Sequence, residues 1–244
     1  MKKFFVLFIP LIFFPLSSAF AKVEFVPQDK KPRQWIQAET GGTFDRGIDR
    51  KKFFGGGAYD FDWQPFSGFA GAQIDANLVD ATLRTAWLPI ASERENGVWR
   101  FGAAAAWHLQ RSPYSYTEHD ILGEIEARWI SKRGLTFTAR TGYSWRITSF
   151  DALENFSVGQ SDFVAYAEID KLWKCGLELF TSIGTYNLYR YPLLFCPQWT
   201  FGAAWNIKDR VRVGALLELG MTDFFASVAY FNHVMIKCNA RFMF

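Results

Sequence analysis

Apolar and polar residues alternate along much of the chain with a period of two. The pattern is clearest at the C-terminus, where every second residue of 234–244 is apolar and the chain stops on Phe244. Lys237, Asn239 and Arg241 lie on the opposite face of the same segment. One apolar face and one charged face, repeating every two residues, are typical of a β-strand that is buried on one side.

Thirteen segments show this alternation and are candidate strands. They are 35–44, 58–63, 70–78, 81–87, 98–110, 120–130, 135–145, 162–170, 175–186, 197–207, 210–220, 223–231 and 234–244. The alternation changes phase near Asp80, which indicates either a tight turn or a β-bulge. The sequence therefore predicts an all-β protein.

The N-terminus carries an export signal. Residues 1–3 are positively charged at two positions, 4–16 form an apolar run, and Ala19-Phe20-Ala21 is an Ala-x-Ala cleavage pattern. We predict a signal peptide over 1–21, a flexible lead-in over 22–34 and one domain over 35–244. A membrane-spanning helix would need about 20 apolar residues, and Pro10 and Pro15 interrupt this shorter run.

The composition separates a membrane barrel from a soluble β-sandwich. Half of the residues are hydrophobic and 18% are aromatic, with 10 Trp, yet the mean hydropathy is only −0.03. Alternation with a strongly aromatic outward face suits strands that contact lipid, whereas a soluble sandwich exposes a polar face. The net charge of +3 is too small and too dispersed to indicate nucleic-acid binding.

The terminal strand, with Phe242 and Phe244 on its apolar face, resembles the C-terminal assembly signal of bacterial outer-membrane β-barrel proteins. The resemblance extends over the mature chain in architecture, export signal and terminal strand, and it identifies no narrower family. It implies a single antiparallel up-and-down transmembrane barrel in the bacterial outer membrane, with lipid outside and a charged lumen inside. It also implies recognition of the terminal strand by the barrel-assembly machinery.

Such barrels have an even number of strands, so one of the thirteen segments is expected to be misread. We predict twelve strands, with ten and fourteen as alternatives. The segment around Asp80 and a missed strand in 147–160 are the first places to look for the error. Tryptophans near the predicted strand ends, including Trp35, Trp107 and Trp129, are expected to face outward as interfacial girdles.

The inward face is predicted to carry both signs of charge. A tight turn over 131–134 joins two strands and places Glu124 or Glu126 opposite Arg140. Pairing of this kind would offset the cost of charge in a low-dielectric lumen. Glu39 is one inward acid, and the lumen-lining candidates are Asp60, Asp62, Asp75, Arg84, Arg100, Glu124, Glu126, Arg128, Arg140, Arg146, Glu168, Asp170, Glu178, Arg212, Glu218, Lys237 and Arg241.

Three functions fit these features. The leading hypothesis is a small porin-like pore for ions or small solutes through a mixed-charge lumen. The first alternative is a structural or adhesive outer-membrane protein with a plugged lumen. The second alternative is an outer-membrane hydrolase that acts on lipid or peptide. No cofactor or metal is expected, since neither a CxxC motif nor Cys/His metal spacing occurs.

The hydrolase alternative depends on few residues. Barrel phospholipases and lipid A deacylases use a His-x-Ser motif, and none of His108, His119 and His233 is followed by Ser at that spacing. Omptin-like proteases combine paired aspartates with an Asp/His pair, and Asp60, Asp62, His119 and Asp120 resemble that set only in residue type. The simpler interpretation gives Asp60 and Asp62 successive lumen positions and puts His119 in a solvated loop.

Two further features leave alternatives open. The glycine-rich stretch 44–57 is predicted to be a basic loop, whose Arg46, Arg50, Lys51 and Lys52 either meet anionic lipid headgroups or an acidic partner, or only keep the loop soluble. The cysteines at 175, 196 and 238 are either free thiols or include a Cys175–Cys196 disulfide.

Overall fold

The computed structural model describes residues 23–25, 32–45, 50–112, 115–152, 156–185, 198–207, 210–221 and 231–244. These ranges form strands joined by turns and contain no helix long and apolar enough to cross a membrane. The strands are β1 (Val23–Phe25), β2 (Arg33–Asp45), β3 (Arg50–Trp63), β4 (Phe66–Asp75), β5 (Val79–Arg94), β6 (Gly97–Ser112), β7 (Tyr116–Ser131), β8 (Leu135–Phe150), β9 (Ser157–Leu172), β10 (Leu177–Gly184), β11 (Gln198–Ile207), β12 (Val211–Met221) and β13 (Phe231–Met243).

Strands β2 to β13 form a closed barrel. Each pairs antiparallel with the next strand along the chain, and β13 pairs with β2 from His233↔Asp45 to Met243↔Trp35. Closure removes the open edges that an isolated sheet would present. The predicted all-β architecture with twelve strands is therefore confirmed.

Neither of the two suspected segments, the one around Asp80 and 147–160, explains the thirteenth candidate strand. The phase change near Asp80 is a real connection between β4 and β5, in which the Asp75 N–H donates to the Leu78 carbonyl at 3.0 Å. Residues 147–150 end β8, and residues 157–160 begin β9. The surplus candidate is 223–231, which lies outside the described residues except for its last position. Because β12 and β13 pair directly, no barrel strand stands between them.

The short strand β1 is not one of the twelve strands of the barrel. It pairs with Ile90, Ala91 and Ser92 of β5, beyond the point where β4 stops pairing with β5 at Trp87. The extended end of β5 would otherwise leave backbone groups unpaired on that side, and β1 covers them. The lead-in predicted over 22–34 thus contains a short strand and the first residues of β2.

The two ends of the barrel differ in their connections. We call the end where β2 begins at Arg33 and β13 finishes at Met243 the terminal end, and the opposite end the loop end. Terminal-end turns are short, and two of them use glycines with positive φ, Gly134 at 76° and Gly176 at 90°. A Cβ on Gly134 would lie 2.4 Å from the carbonyl oxygen of Leu172. Loop-end connections reach the length of 185–197, as is usual for the outer side of such barrels.

The outer face is apolar and the inner face is polar. Ile36 and Ile125 illustrate the outer face, with 54% and 62% of their surface exposed. Trp35 departs from the predicted outward girdle, since its register with Asp60 and Met243 puts it on the inner face. The reason is local: Trp35 and Ile36 are consecutive, so only one of the two can face lipid.

Candidate functional site

The candidate site is the charged inner face of the barrel. Some contacts join side chains of two strands that are separated by a third strand. Only the concave face of the wall brings such side chains close enough to touch, so these contacts identify the side chains that point inward. Arg84 of β5 contacts Glu126 of β7 across β6, and Gln73 of β4 contacts Glu39 of β2 across β3. The strand registers place every lumen-lining candidate from the sequence on this same face.

The inner face also holds polar residues that are not among those lumen-lining candidates. They are Lys52, Gln73, Asp80, His108, Gln110, Glu118, Asp120, Asp162 and His233. Most lie near the loop end of their strands. Two charged residues two positions apart, Glu118 and Asp120 of β7, would have been a usable signal.

Glu39 connects the first and last barrel strands. Its carboxylate is 6% exposed and accepts hydrogen bonds from Lys237 Nζ at 3.0 Å and Gln37 Nε2 at 2.9 Å. Gln73 Nε2 donates to the other oxygen at 2.7 Å. One buried acid thus holds side chains from β13, β2 and β4, which is how a buried charge is made tolerable.

Glu126 is the centre of a second network. It accepts from Arg84, and from Arg128 Nη2 at 2.7 Å. Glu124 lies 3.7 Å from Arg84. In the β7–β8 hairpin Glu126 stands directly opposite Arg140, which settles the choice between Glu124 and Glu126 left open by the sequence. Arg84, Glu124 and Glu126 each lie at least five residues from both ends of their strands, at mid-height in the wall.

Three inward arginines lie over aromatic rings. The guanidinium carbon of Arg140 is 3.8 Å from the Tyr166 ring centre, and that of Arg241 is 4.4 Å from Trp35. Arg212 lies 5.6 Å from the Phe180 ring. Stacking of this kind fixes the plane of the guanidinium group.

Two of these arginines are also paired with acids. Arg212 donates to both oxygens of Glu178 at 2.8 and 2.7 Å. Arg241 lies 3.5 Å from Asp60. Tyr166, beneath Arg140, donates its hydroxyl to Glu168. The terminal half of the lumen therefore carries oriented charges of both signs.

One sector of the inner wall is tightly packed. Ala106, Leu122 and Val164 form a small apolar cluster with Tyr166 against it, and Val164 is 0% exposed. Ser144, in the strand between Leu122 and Val164, is also fully buried. Other protein atoms therefore cover this part of the inner wall from β6 to β9.

The structure does not assemble the hydrolase set. Asp60 and Asp62 lie near the terminal end, whereas Asp120 lies near the loop end. His119 belongs to β7 and points outward, with its ring stacked 5.9 Å from Trp107. The placement of His119 in a loop was wrong, because β7 begins at Tyr116 and not at 120.

The predicted basic loop also changes. Arg46 lies outside the described residues, while Arg50, Lys51 and Lys52 belong to strand β3, as do the glycines that follow them. Lys52 points inward with Nζ 3.4 Å from Asp75. The glycines suggested a loop, but here they pair with β2 and β4 inside the sheet.

Two cysteines can be placed. Cys175 lies in the β9–β10 turn and Cys238 on the outer face of β13, and both carry free, exposed thiols. Cys196 lies outside the described residues.

Comparison with known proteins identifies a shared architecture. No family model matches the chain, and no curated protein matches its sequence. Among solved structures, NanC porin matches with a TM-score of 0.57 at 10% identity, covering 85% of this chain and 98% of that chain. KdgM porin in complex with disordered oligogalacturonate matches with a TM-score of 0.54 at 5% identity, covering 85% and 99%. The chain therefore has the fold of outer-membrane β-barrel proteins, which confirms the resemblance predicted from its terminal strand.

Proposed function

We propose that this protein is a small channel of the bacterial outer membrane that passes ions and small polar solutes through its lumen. The observation that carries the proposal is the inner face: charged and amide side chains follow one another from Asp60 and Arg241 at the terminal end to Asp80 and Glu118 at the loop end. Polar walls replace part of the hydration of a passing solute.

The strand number supports a passage of limited width. Barrels of about eight strands are filled by side chains, whereas those of roughly sixteen to eighteen strands enclose wide aqueous channels. Twelve strands lie between these cases. Arg84, which reaches across β6 to Glu126, narrows the passage further. The likeness in fold to NanC and KdgM porins agrees with this proposal.

The proposal also includes orientation and partners. The signal peptide over 1–21 directs export, and the barrel-assembly machinery recognises the terminal strand through Phe242 and Phe244. Both side chains are exposed on the outside of the barrel end. The loop end then faces the cell exterior, and the apolar outer face contacts outer-membrane lipid.

A plugged structural barrel is the second candidate. The packed sector of Ala106, Leu122 and Val164 favours it, because those inner-wall residues are covered by protein. The two candidates differ in whether an open path remains beside the packed sector. A hydrolase has less support, since Asp60 and His119 lie at opposite ends and on opposite faces of the wall.

Solute flux into vesicles tests the proposal. Vesicles containing the folded protein should swell in isotonic solutions of small sugars, at a rate that falls as the sugar becomes larger. Arg84→Ala should increase the rate, since it removes a long side chain from the inner face of the wall. Arg111→Ala, at an exposed position on the outer rim, should not. Absence of swelling with verified folded barrel would contradict a channel and favour the plugged barrel.

A further inference from the structure

Among the described side chains, acidic ones exceed basic ones at the loop end of the lumen. We define the loop-end vestibule as the inward charged side chains within five residues of the loop end of their strands. Its acids are Asp75, Asp80, Glu118, Asp120 and Glu218. Among the described side chains its bases are Lys52 and Arg146. Deeper in the lumen the two signs are closer to balance, because Glu39, Glu126 and Glu178 each hold a basic side chain.

The two vestibule bases are already engaged with acids of the same vestibule. Lys52 Nζ lies 3.4 Å from Asp75, and Arg146 Nε lies 3.3 Å from Glu118. Asp80 accepts from Gln110 Nε2 at 2.9 Å and lies 3.7 Å from His108 Nε2. Glu218 lies 3.8 Å from His233 Nε2, and Asp120 stands opposite Arg146 in the β7–β8 register. Five acids therefore face two bases among the described side chains of the vestibule.

Asp120 provides an independent indication. Its side chain is 1% exposed and stands between His108 and Arg146 in the strand registers. Its Oδ1 atom has no hydrogen-bond partner within the described part of the chain. A buried carboxylate oxygen left without a donor is costly unless a cationic or donor group reaches it. The vestibule thus contains one carboxylate oxygen that no described donor reaches.

We infer that the channel prefers cations over anions and that the loop-end vestibule is where this preference arises. The inference rests on the proposed channel function and adds a substrate class, small inorganic or organic cations. Acidic side chains lining a narrow, low-dielectric passage concentrate cations and repel anions. Because the vestibule lies at one end only, it acts on solutes that enter from the loop side before they meet the mid-height arginines.

Reversal potentials measure this preference directly. The full-length mature protein is inserted in a planar bilayer with K⁺ and Cl⁻ as the probe ions, and the potential is read under a KCl gradient. We expect a potassium-to-chloride permeability ratio above one. It should be larger near 0.1 M than near 1 M salt, since the screening length falls from about 10 Å to about 3 Å.

Matched variants locate the effect. Asp80→Asn combined with Asp120→Asn should lower the permeability ratio roughly two- to fourfold, the effect of two unit charges at nanometre distance in water. Glu93→Gln combined with Glu95→Gln removes the same charge from exposed positions near the terminal end. That control pair should leave the ratio unchanged.

The outcomes separate this inference from the proposed function. Open channels with a ratio at or below one would overturn the cation preference and leave the channel function standing. Bilayers that stay silent with folded protein would overturn both. If the double variant does not fold, the wild-type ratio and its salt dependence still decide the question.

Discussion

At the scale of single residues, the lumen depends on carboxylates that serve several partners at once. Glu39 holds Lys237, Gln37 and Gln73, and Glu126 holds Arg84 and Arg128. Each acid is buried, so removing it leaves polar and charged groups without compensation in a low-dielectric site. Because Glu39 of β2 binds Lys237 of β13, it also links the two strands that close the barrel.

Glu39→Ala should lower the free energy of unfolding by about 3 kcal/mol, because Lys237 keeps its buried charge and loses this carboxylate. Equilibrium unfolding of the refolded barrel in urea measures the change. Exposed Glu95→Gln is the control and should change stability by less than about 0.5 kcal/mol. A Glu39→Ala effect as small as that of the control would show that the buried pair contributes little to closure.

At the scale of strands, the sequence predicts the elements whose outward residues are strongly apolar. The terminal strand β13 and the inward residues of the β7–β8 hairpin follow from period-two alternation. Alternation alone gives thirteen candidate strands, and the total of twelve needs in addition the even strand number of such barrels. β3 is different, because Arg50 to Gly57 lacks apolar alternation and only pairing with β2 and β4 makes it a strand. β7 was predicted to begin four residues too late, since outward His119 hides the alternation with inward Glu118 and Asp120.

The sequence predicts which residues line the inner face, but it predicts less well which of them contact one another. Which residues face inward follows from the register, which a strand pattern specifies. Second-neighbour contacts such as Arg84 with Glu126 depend on the curvature and closure of the barrel, which no local pattern encodes. Trp35 could not be assigned from the sequence because Ile36 competes for the lipid-facing position.

Outward positions of the strands should report their depth in the bilayer. Ile125→Arg, in the middle of β7 on the outer face, should lower the free energy of unfolding in lipid vesicles by about 2–4 kcal/mol. Ile36→Arg, near the terminal end of β2, should cost at most about 1 kcal/mol, because its charge reaches the interface. An equal loss of unfolding free energy at the two positions would contradict an apolar outer face whose middle lies deepest in the bilayer.

At the scale of the whole molecule, three features act together. Closure by β13 and β2 removes the sheet edges, the apolar exterior suits lipid, and the twelve-stranded wall encloses a charged interior. The packed sector at Val164 takes part of that interior, and the acid-rich vestibule lies at the loop end. These features agree with the proposed narrow, asymmetric passage and not with a wide pore.

Single-channel recording of the purified, folded protein in planar bilayers tests this account most directly. It predicts discrete conductance steps that grow with salt concentration and that increase further in Arg84→Ala, where the mid-height side chain is removed. A folded barrel that inserts into the bilayer and shows no conductance step at any salt concentration would contradict it.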